Sequence, residues 1–330
     1  MKLKQWSLLA AMIVTLPLAA CGGDDDASST EGGSVFVTGS STVEPISIKV
    51  GELAGTAEGG NLKVTVEGPG TGDGFKKFCA GDSDITGASR AIKEEEMTMC
   101  ADGGVEYIEL AVAIDGLTVA TSPANTAIEC LDKAALYALV GPESEGFSSW
   151  ADANAIAGEL GSAFATLPDA PLSIYGPGEE SGTYDSFVEF AFKSISEDRG
   201  TDMVSRADYT ASPNDNVIVD GIESADTSLG WVGYAYYKAE EARMKAIAIA
   251  DKEGACVLPT DETIADGSYP FSRTLYLYVN KAKAVENPAI AAYVDLYLSA
   301  QGGEQVSAAG YVQLDSATQQ LSLDAWTARG

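Results

Sequence analysis

Three times in this chain a short β-rich run passes through glycines and hydroxyl residues into a helix-length segment. Ser34–Thr38 leads to Gly39-Ser40-Ser41-Thr42-Val43-Glu44-Pro45, and Leu62–Val66 leads to Gly68-Pro69-Gly70-Thr71-Gly72-Asp73-Gly74-Phe75. Leu172–Tyr175 leads to Gly176-Pro177-Gly178-Glu179-Glu180-Ser181-Gly182-Thr183-Tyr184. Strands that alternate with helices in this way build α/β architecture with largely parallel sheets. Further strands are expected at Glu106–Thr121, Leu229–Tyr234 and Leu275–Val279. Helices are expected at Glu44–Ala57, Gly72–Cys79, Ile92–Cys100, Ala127–Val140, Trp150–Gly158, Thr183–Ser194, Asp215–Ala225 and Pro288–Ser299.

Two segments are candidates to cross between domains. Ile108–Thr121 is long and apolar, broken by Asp115-Gly116, and Tyr269–Asn280 is the second. Two crossings make the first domain discontinuous, with residues 34–115 joined by 271–330 and a second domain at 116–270. No internal repeat or heptad pattern is present.

The N-terminus reads as an export signal over residues 1–20. Lys2 and Lys4 supply a basic start, Leu8–Leu18 an apolar run too short to span a bilayer, and Leu18-Ala19-Ala20-Cys21 a small-residue cleavage site. Cleavage before Cys21 resembles the bacterial lipoprotein pattern, in which that cysteine is acylated; the alternative is an ordinary secretory peptide with Cys21 nearby. Both place the chain outside the cytoplasm, in the periplasm or at the cell surface, and the first anchors it through Cys21. Residues 21–33 then form a flexible stalk, since they hold no large apolar residue. Asp24–Asp26 lack the spacing of a calcium loop.

The net charge is −29, and without Lys2 and Lys4 there remain 18 basic against 49 acidic residues, or −31. So acidic a surface repels nucleic acid and anionic headgroups, so contact with a membrane is expected only through the lipid anchor. An anionic ligand would have to be held by a local set of donors. Cys79, Cys100, Cys130 and Cys256 are an even number in an oxidising compartment and imply two disulfides. Cys79 and Cys100 flank one short segment, which favours pairing them and Cys130 with Cys256, although four cysteines permit three connectivities. A zinc site is disfavoured, because the chain has no histidine and no Cys-x-x-Cys.

Each of the three helix starts would offer unpaired N–H groups, the positive end of a helix dipole and a Ser or Thr hydroxyl. Converging, they could hold a tetrahedral oxyanion without much net positive charge, and the glycines let the backbone approach closely. Singly, each is more simply a helix cap. No Lys-Ser or Lys-Thr follows the glycines, which excludes a P-loop. A fourth segment, Gly81–Arg90, ends in one of few arginines; Arg90 could pair bidentately with an oxyanion or, more blandly, with Glu94 or a neighbouring acid. Arg206 and Arg273 have no motif around them.

With these motifs in order, namely Gly39–Val43, Gly70–Cys79, Asp84–Arg90 and Ser181–Thr183, the chain resembles the phosphate-binding proteins of high-affinity phosphate importers. These form the PstS family within the type II periplasmic binding proteins. The resemblance extends over nearly the whole mature chain, including Trp231–Tyr234 and the return near Phe271. It implies an α/β, two-domain periplasmic binding protein type II fold, with the ligand cleft between domains joined by two crossover strands. It implies that Thr42 donates its hydroxyl and Val43 its N–H, that Thr71 donates from the second loop, and that Ser181, Gly182 and Thr183 supply the third. Ser41, Gly72 and Arg90 complete the expected set.

Two departures stand out. Many relatives carry an aspartate, which accepts a proton from bound phosphate, where this chain has Arg90, and an arginine where it has Pro177. Asp73 is one candidate to replace that acceptor, and a solvent-facing role is the other.

The expected function is capture of inorganic phosphate outside the cytoplasmic membrane and delivery to ABC transporter permease subunits, by a monomer without cofactor, metal or catalysis. Sulfate, arsenate and molybdate are the rival ligands. An extracellular phosphoester hydrolase is the weaker rival, since the chain has neither a histidine base nor a Gly-x-Ser-x-Gly elbow. A surface adhesion protein that has lost transport is a third reading.

Overall fold

Two long strands run side by side through the middle of the molecule and carry the rest of the fold on either flank. The computed structural model describes residues 32–329 apart from Ala57 and Glu180. The expected export signal, Cys21 and all but the last two residues of the stalk lie outside the described residues.

In chain order the strands are β1 Ser34–Gly39, β2 Lys63–Val66, β3 Ile85–Ala88, β4 Tyr107–Thr121, β5 Cys130–Leu131 and β6 Ser173–Gly176. They continue as β7 Thr210–Ala211, β8 Ser228–Gly233, β9 Lys245–Ala246, β10 Ala248–Ala250, β11 Cys256–Val257 and β12 Ser272–Asn280. The first seven α-helices are α1 Glu44–Ala54, α2 Thr71–Cys79, α3 Glu94–Asp102, α4 Lys133–Val140, α5 Asn154–Glu159, α6 Gly182–Arg199 and α7 Asp215–Ser224.

The main sheet has the order β2-β1-β3-β12-β4-β8-β6-β7, with β9 also on β4. Strands β1, β2 and β3 are parallel, as are β6, β7 and β8, the arrangement expected where helices link successive strands. Between these blocks β12 lies antiparallel to β3 and β4, and β4 lies antiparallel to β8. Strand β4 changes partner along its length: Tyr107–Gly116 pairs with β12, and Leu117–Ala120 with β8. Asp115-Gly116, expected to break this run, lies inside the continuous strand at the change of partner. The burial pattern changes a few residues earlier, alternating as far as Ala111 and buried throughout from Val112.

The apolar cores divide in the same way. Val35, Val37, Ile46, Ile85, Leu110, Leu277 and Tyr293 belong to one cluster, and Leu117, Leu136, Phe187, Leu229, Trp231 and Phe271 to another. In the second cluster Trp231 stacks on Phe187, with ring centroids 4.2 Å apart, and helix α6 buries Tyr184, Phe187, Val188, Ala191 and Phe192 along one stripe. The helix outruns its expected end at Ser194 and stops at Gly200, where φ is +65°.

Two further boundaries differ from expectation. Residues 127–132 are not helical: Cys130-Leu131 pairs with β10, and Asp132 caps α4 by accepting the Ala135 N–H at 2.7 Å. Strand β3 was not anticipated. Its Ile-Thr-Gly-Ala sequence is too short and mixed to signal a strand, yet all four residues are buried between β1 and β12.

Both favoured disulfides are present, Cys79–Cys100 and Cys130–Cys256. The first ties α2 to α3 and the second ties β5 to β11. Their sequence separations are 21 and 126, and loop-closure entropy alone makes them worth about 3 and about 5 kcal/mol.

Candidate functional site

Glycine packing brings the first, second and fourth sequence motifs together. Gly39 ends β1 at φ +123°, and a Cβ there would lie 2.1 Å from the Gly87 carbonyl oxygen of β3. Gly74 sits in the first turn of α2, where a Cβ would fall 2.4 Å from Gly39 Cα and 2.6 Å from Thr86 Oγ1. Strand β1, strand β3 and helix α2 therefore meet backbone to backbone. Hydrogen bonds secure the junction: the Ser40 N–H donates to Gly87 O and the Gly70 N–H to Gly39 O, each at 2.9 Å.

The loops that leave this junction line a cavity of about 590 Å³. Ser41, Thr42, Thr71, Gly72 and Arg90 are on its wall, and Asp185 and Glu189 of α6 face them. The Thr71 hydroxyl accepts the Ser89 N–H at 3.2 Å and lies 3.2 Å from the Ser89 hydroxyl. Its own proton is thus available to a ligand or to Ser89. A Cβ on Gly72 would meet nothing within 4 Å.

Thr42 is nearly buried, at 2 % exposure, and its N–H is turned back onto the Ser40 hydroxyl at 3.1 Å. Its hydroxyl oxygen accepts from Nη2 of Arg273 at 3.2 Å. A hydroxyl that accepts from a guanidinium is left with its proton to give, and the positive charge makes it a better donor. The Val43 N–H, an expected ligand donor, is satisfied by Ser40 O at 3.1 Å.

Arg273 has no motif around it in the sequence, yet it joins more elements around the cavity than any of the expected site residues. Besides Thr42 it donates to Asp115 Oδ2 at 3.1 Å, to Glu189 Oε2 at 2.5 Å and to the Ser186 hydroxyl at 3.3 Å. The guanidinium also lies 4.7 Å from the Phe190 ring centroid. It thereby touches β4, α6 and the β1–α1 loop from its own place on β12. Burial pushes the Asp115 carboxyl above the usual range even against the charge of Arg273. Burial would also raise Glu189, but the charge of Arg273 and its hydrogen bond outweigh that and hold it low. Arg273 is the only charged residue in Phe271–Asn280, which is the one trace of it in the sequence.

Arg90 lines the cavity with its guanidinium committed elsewhere. Nη1 and Nη2 donate to the two carboxylate oxygens of Glu96 at 2.8 and 2.7 Å. Glu96 also accepts the Lys93 N–H at 2.9 Å at the start of α3. Burial raises the Glu96 carboxyl, and these bonds more than reverse it. Asp73, the candidate replacement acceptor, is exposed and paired with Lys76 at 2.8 Å, away from the cavity wall.

Ser181, Gly182 and Thr183 are not on this cavity. They line a second one, of about 410 Å³, together with Tyr311, Ser212 and Asp215. There Ser181 caps α6 by accepting the Thr183 N–H at 3.2 Å. Farther along α6, Asp185 and Glu189, one helical turn apart, line the first cavity, which Ser181 does not.

Comparison with known proteins agrees with this geometry. A family described as "PBP superfamily domain" matches residues 24–301. Protein SphX of Synechocystis sp. is 37 % identical over 311 residues, covering 93 % of this chain and 86 % of the relative. The phosphate-binding protein PstS of Staphylococcus saprophyticus is 32 % identical over 332 residues, covering 98 % and 95 %. The crystal structure of a possible phosphate binding protein from Planctomyces limnophilus superposes with a TM-score of 0.81 at 37 % identity, covering 90 % of this chain and 99 % of that one. The two-domain α/β fold, the ordered glycine and hydroxyl loops and these relatives lead to one conclusion: the chain belongs to the PstS family of the periplasmic-binding-protein superfamily.

Proposed function

We propose that this protein captures inorganic phosphate between its two domains and delivers it to the permease subunits of an ABC importer. The observation that carries the reading is the placement of Thr42, Thr71, Ser41 and Gly72 on one cavity by glycine-packed strand–helix junctions, with Thr42 polarised by Arg273. Hydroxyls and first-turn N–H groups suit a tetrahedral oxyanion, and they need little net charge in so acidic a chain.

The domains divide at 34–115 with 271–330 against 116–270, with β4 and β12 as the crossovers. Closure about those strands would bring Ser181, Gly182 and Thr183 toward the ligand held by the first two loops, and Arg90 would turn from Glu96 to the anion. The protein acts as a monomer without catalysis, exported and tethered through Cys21. Among the described residues no helix is long and apolar enough to cross a membrane, which fits a body carried by an anchor.

Thermal unfolding of the untethered chain in phosphate, sulfate and chloride tests this. Phosphate at about 100 times its dissociation constant should stabilise the chain by about 2.7 kcal/mol and raise its midpoint, while chloride does not. Equal midpoints in phosphate and chloride would overturn the proposal.

A further inference from the structure

Carboxylates lie on the wall of the cavity that is to take an anion and just behind it, and all but one of those shielded from solvent are neutralised. Glu189 is held by Arg273 and by Lys193, at 2.5 and 3.4 Å. Glu96 is held by Arg90, and Asp115, behind Thr42, by Arg273 and the Ser186 hydroxyl. Glu179, also on the wall, is exposed to solvent. Asp185 is different: it is half-buried in the first turn of α6, faces the Ser41 hydroxyl, and has no ion pair among the described residues.

We infer that Asp185 selects for a protonated oxyanion, its carboxylate accepting a hydrogen bond from the P–O–H group of bound phosphate; the inference rests on the phosphate reading above. A carboxylate without a cation repels a fully ionised tetrahedral anion that is forced against it. It stabilises one that can donate a proton. Hydrogen phosphate has such a proton at neutral pH, and sulfate does not. The Ser41 hydroxyl faces this carboxylate on the same cavity wall, so the acceptor sits beside the loop that carries Thr42.

The electrostatics agree in direction. Burial raises the Asp185 carboxyl above the usual range and the charge of Glu189 raises it further, while the Ser41 hydrogen bond and the charge of Arg273 pull it down. The other charged groups on the same wall are Arg90, Lys93 and Lys193 and the exposed Glu179. Arg90, Lys93 and Lys193 each have a carboxylate partner within 4 Å, so none is left over for Asp185. The acceptor that the sequence lacks at Arg90 is thus supplied from α6, four residues past the serine of Ser181-Gly182-Thr183.

The test is calorimetric titration of the wild type and Asp185→Asn with phosphate and with sulfate, at fixed pH and salt. The wild type should prefer phosphate, and Asp185→Asn should lower the phosphate-over-sulfate affinity ratio by about tenfold or more, with sulfate binding gained. A ratio within about twofold of wild type would overturn the inference, as would a wild type that binds phosphate and sulfate equally. If the wild type binds neither anion, it is the phosphate reading that fails. Circular dichroism establishes that the variant is folded; should it not be, Asp185→Ser removes the same carboxylate and serves in its place.

Discussion

The guanidinium of Arg273 donates to the hydroxyl of Thr42 across 3.2 Å, although 231 residues separate them in the sequence. One hydrogen bond therefore connects β12 to the β1–α1 loop, where the proposed anion site begins. The same guanidinium reaches Asp115 on the first crossover strand and Glu189 on α6. On the proposed reading, a ligand at Thr42 would in this way be linked to both β4 and β12, the strands about which closure would turn.

Arg273→Met should be among the most destabilising single changes in the chain. It leaves Asp115 buried without its cation, a loss of about 3–5 kcal/mol and a fall of roughly 5–8 °C in thermal midpoint. Adding Asp115→Asn removes the stranded charge, so the double variant should lose less than the sum of the two single losses. Strict additivity in a thermal double-mutant cycle would show that the pair is not coupled.

Arg90 and Glu96 should separate stability from binding. Arg90→Gln strands a carboxylate whose side chain is 7 % exposed, so the midpoint should fall by about 2–5 °C while phosphate affinity drops about tenfold. Glu96→Gln releases the guanidinium instead and should leave phosphate affinity unchanged or higher. Loss of affinity in Glu96→Gln, measured by titration, would mean that the pair acts as a unit.

Glycines two residues apart should behave oppositely. Gly74→Ala places a Cβ 2.4 Å from Gly39 Cα and must push α2 off β1, at a cost of about 1–3 kcal/mol and with loss of phosphate binding. Gly72→Ala points into open space and should leave the midpoint within about 1 °C of wild type, or raise it slightly, because alanine favours the helix. Equal midpoints for the two variants would contradict the close packing of β1, β3 and α2.

The acid limb of stability should depend on Asp208. Hydrogen bonds from Arg206 hold its carboxyl down at about 2, against a usual value of 3.8. A carboxyl depressed by folding contributes its stability above the usual value and loses it as pH falls through the depressed one, here between about 4 and 2. Asp208→Asn should therefore flatten the acid unfolding profile over that interval. Profiles that remain parallel to wild type would show that the pair with Arg206 is too solvent-screened to matter.

Much of this was readable from sequence because it is local. β-Rich runs, glycines and hydroxyls at helix starts placed β1, β2, β6, α1, α2 and α6, and the cysteine spacing favoured the disulfides that form. Strand β3 escaped notice because four buried residues between two other strands carry no period of their own. Arg273 escaped because its partners Asp115, Ser186 and Thr42 lie 158, 87 and 231 residues away, and no spacing encodes contacts of that range. The sequence also did not reveal that Ser181, Gly182 and Thr183 line a cavity apart from Thr42 and Thr71, since that depends on how two separately built halves face each other. Asp185 was within reach, one turn into the helix that the third motif begins.

Calorimetric titration of the purified, untethered wild type with phosphate, run beside a Thr42→Val and Thr71→Val double variant, tests the central claim most directly. The account predicts saturable binding at one phosphate per chain in the wild type and a loss of about 100-fold or more in the double variant, as two donors are removed from a buried anion. Wild-type affinity in the double variant would place the phosphate elsewhere, and the cavity lined by Thr42 and Thr71 would lose its assigned role.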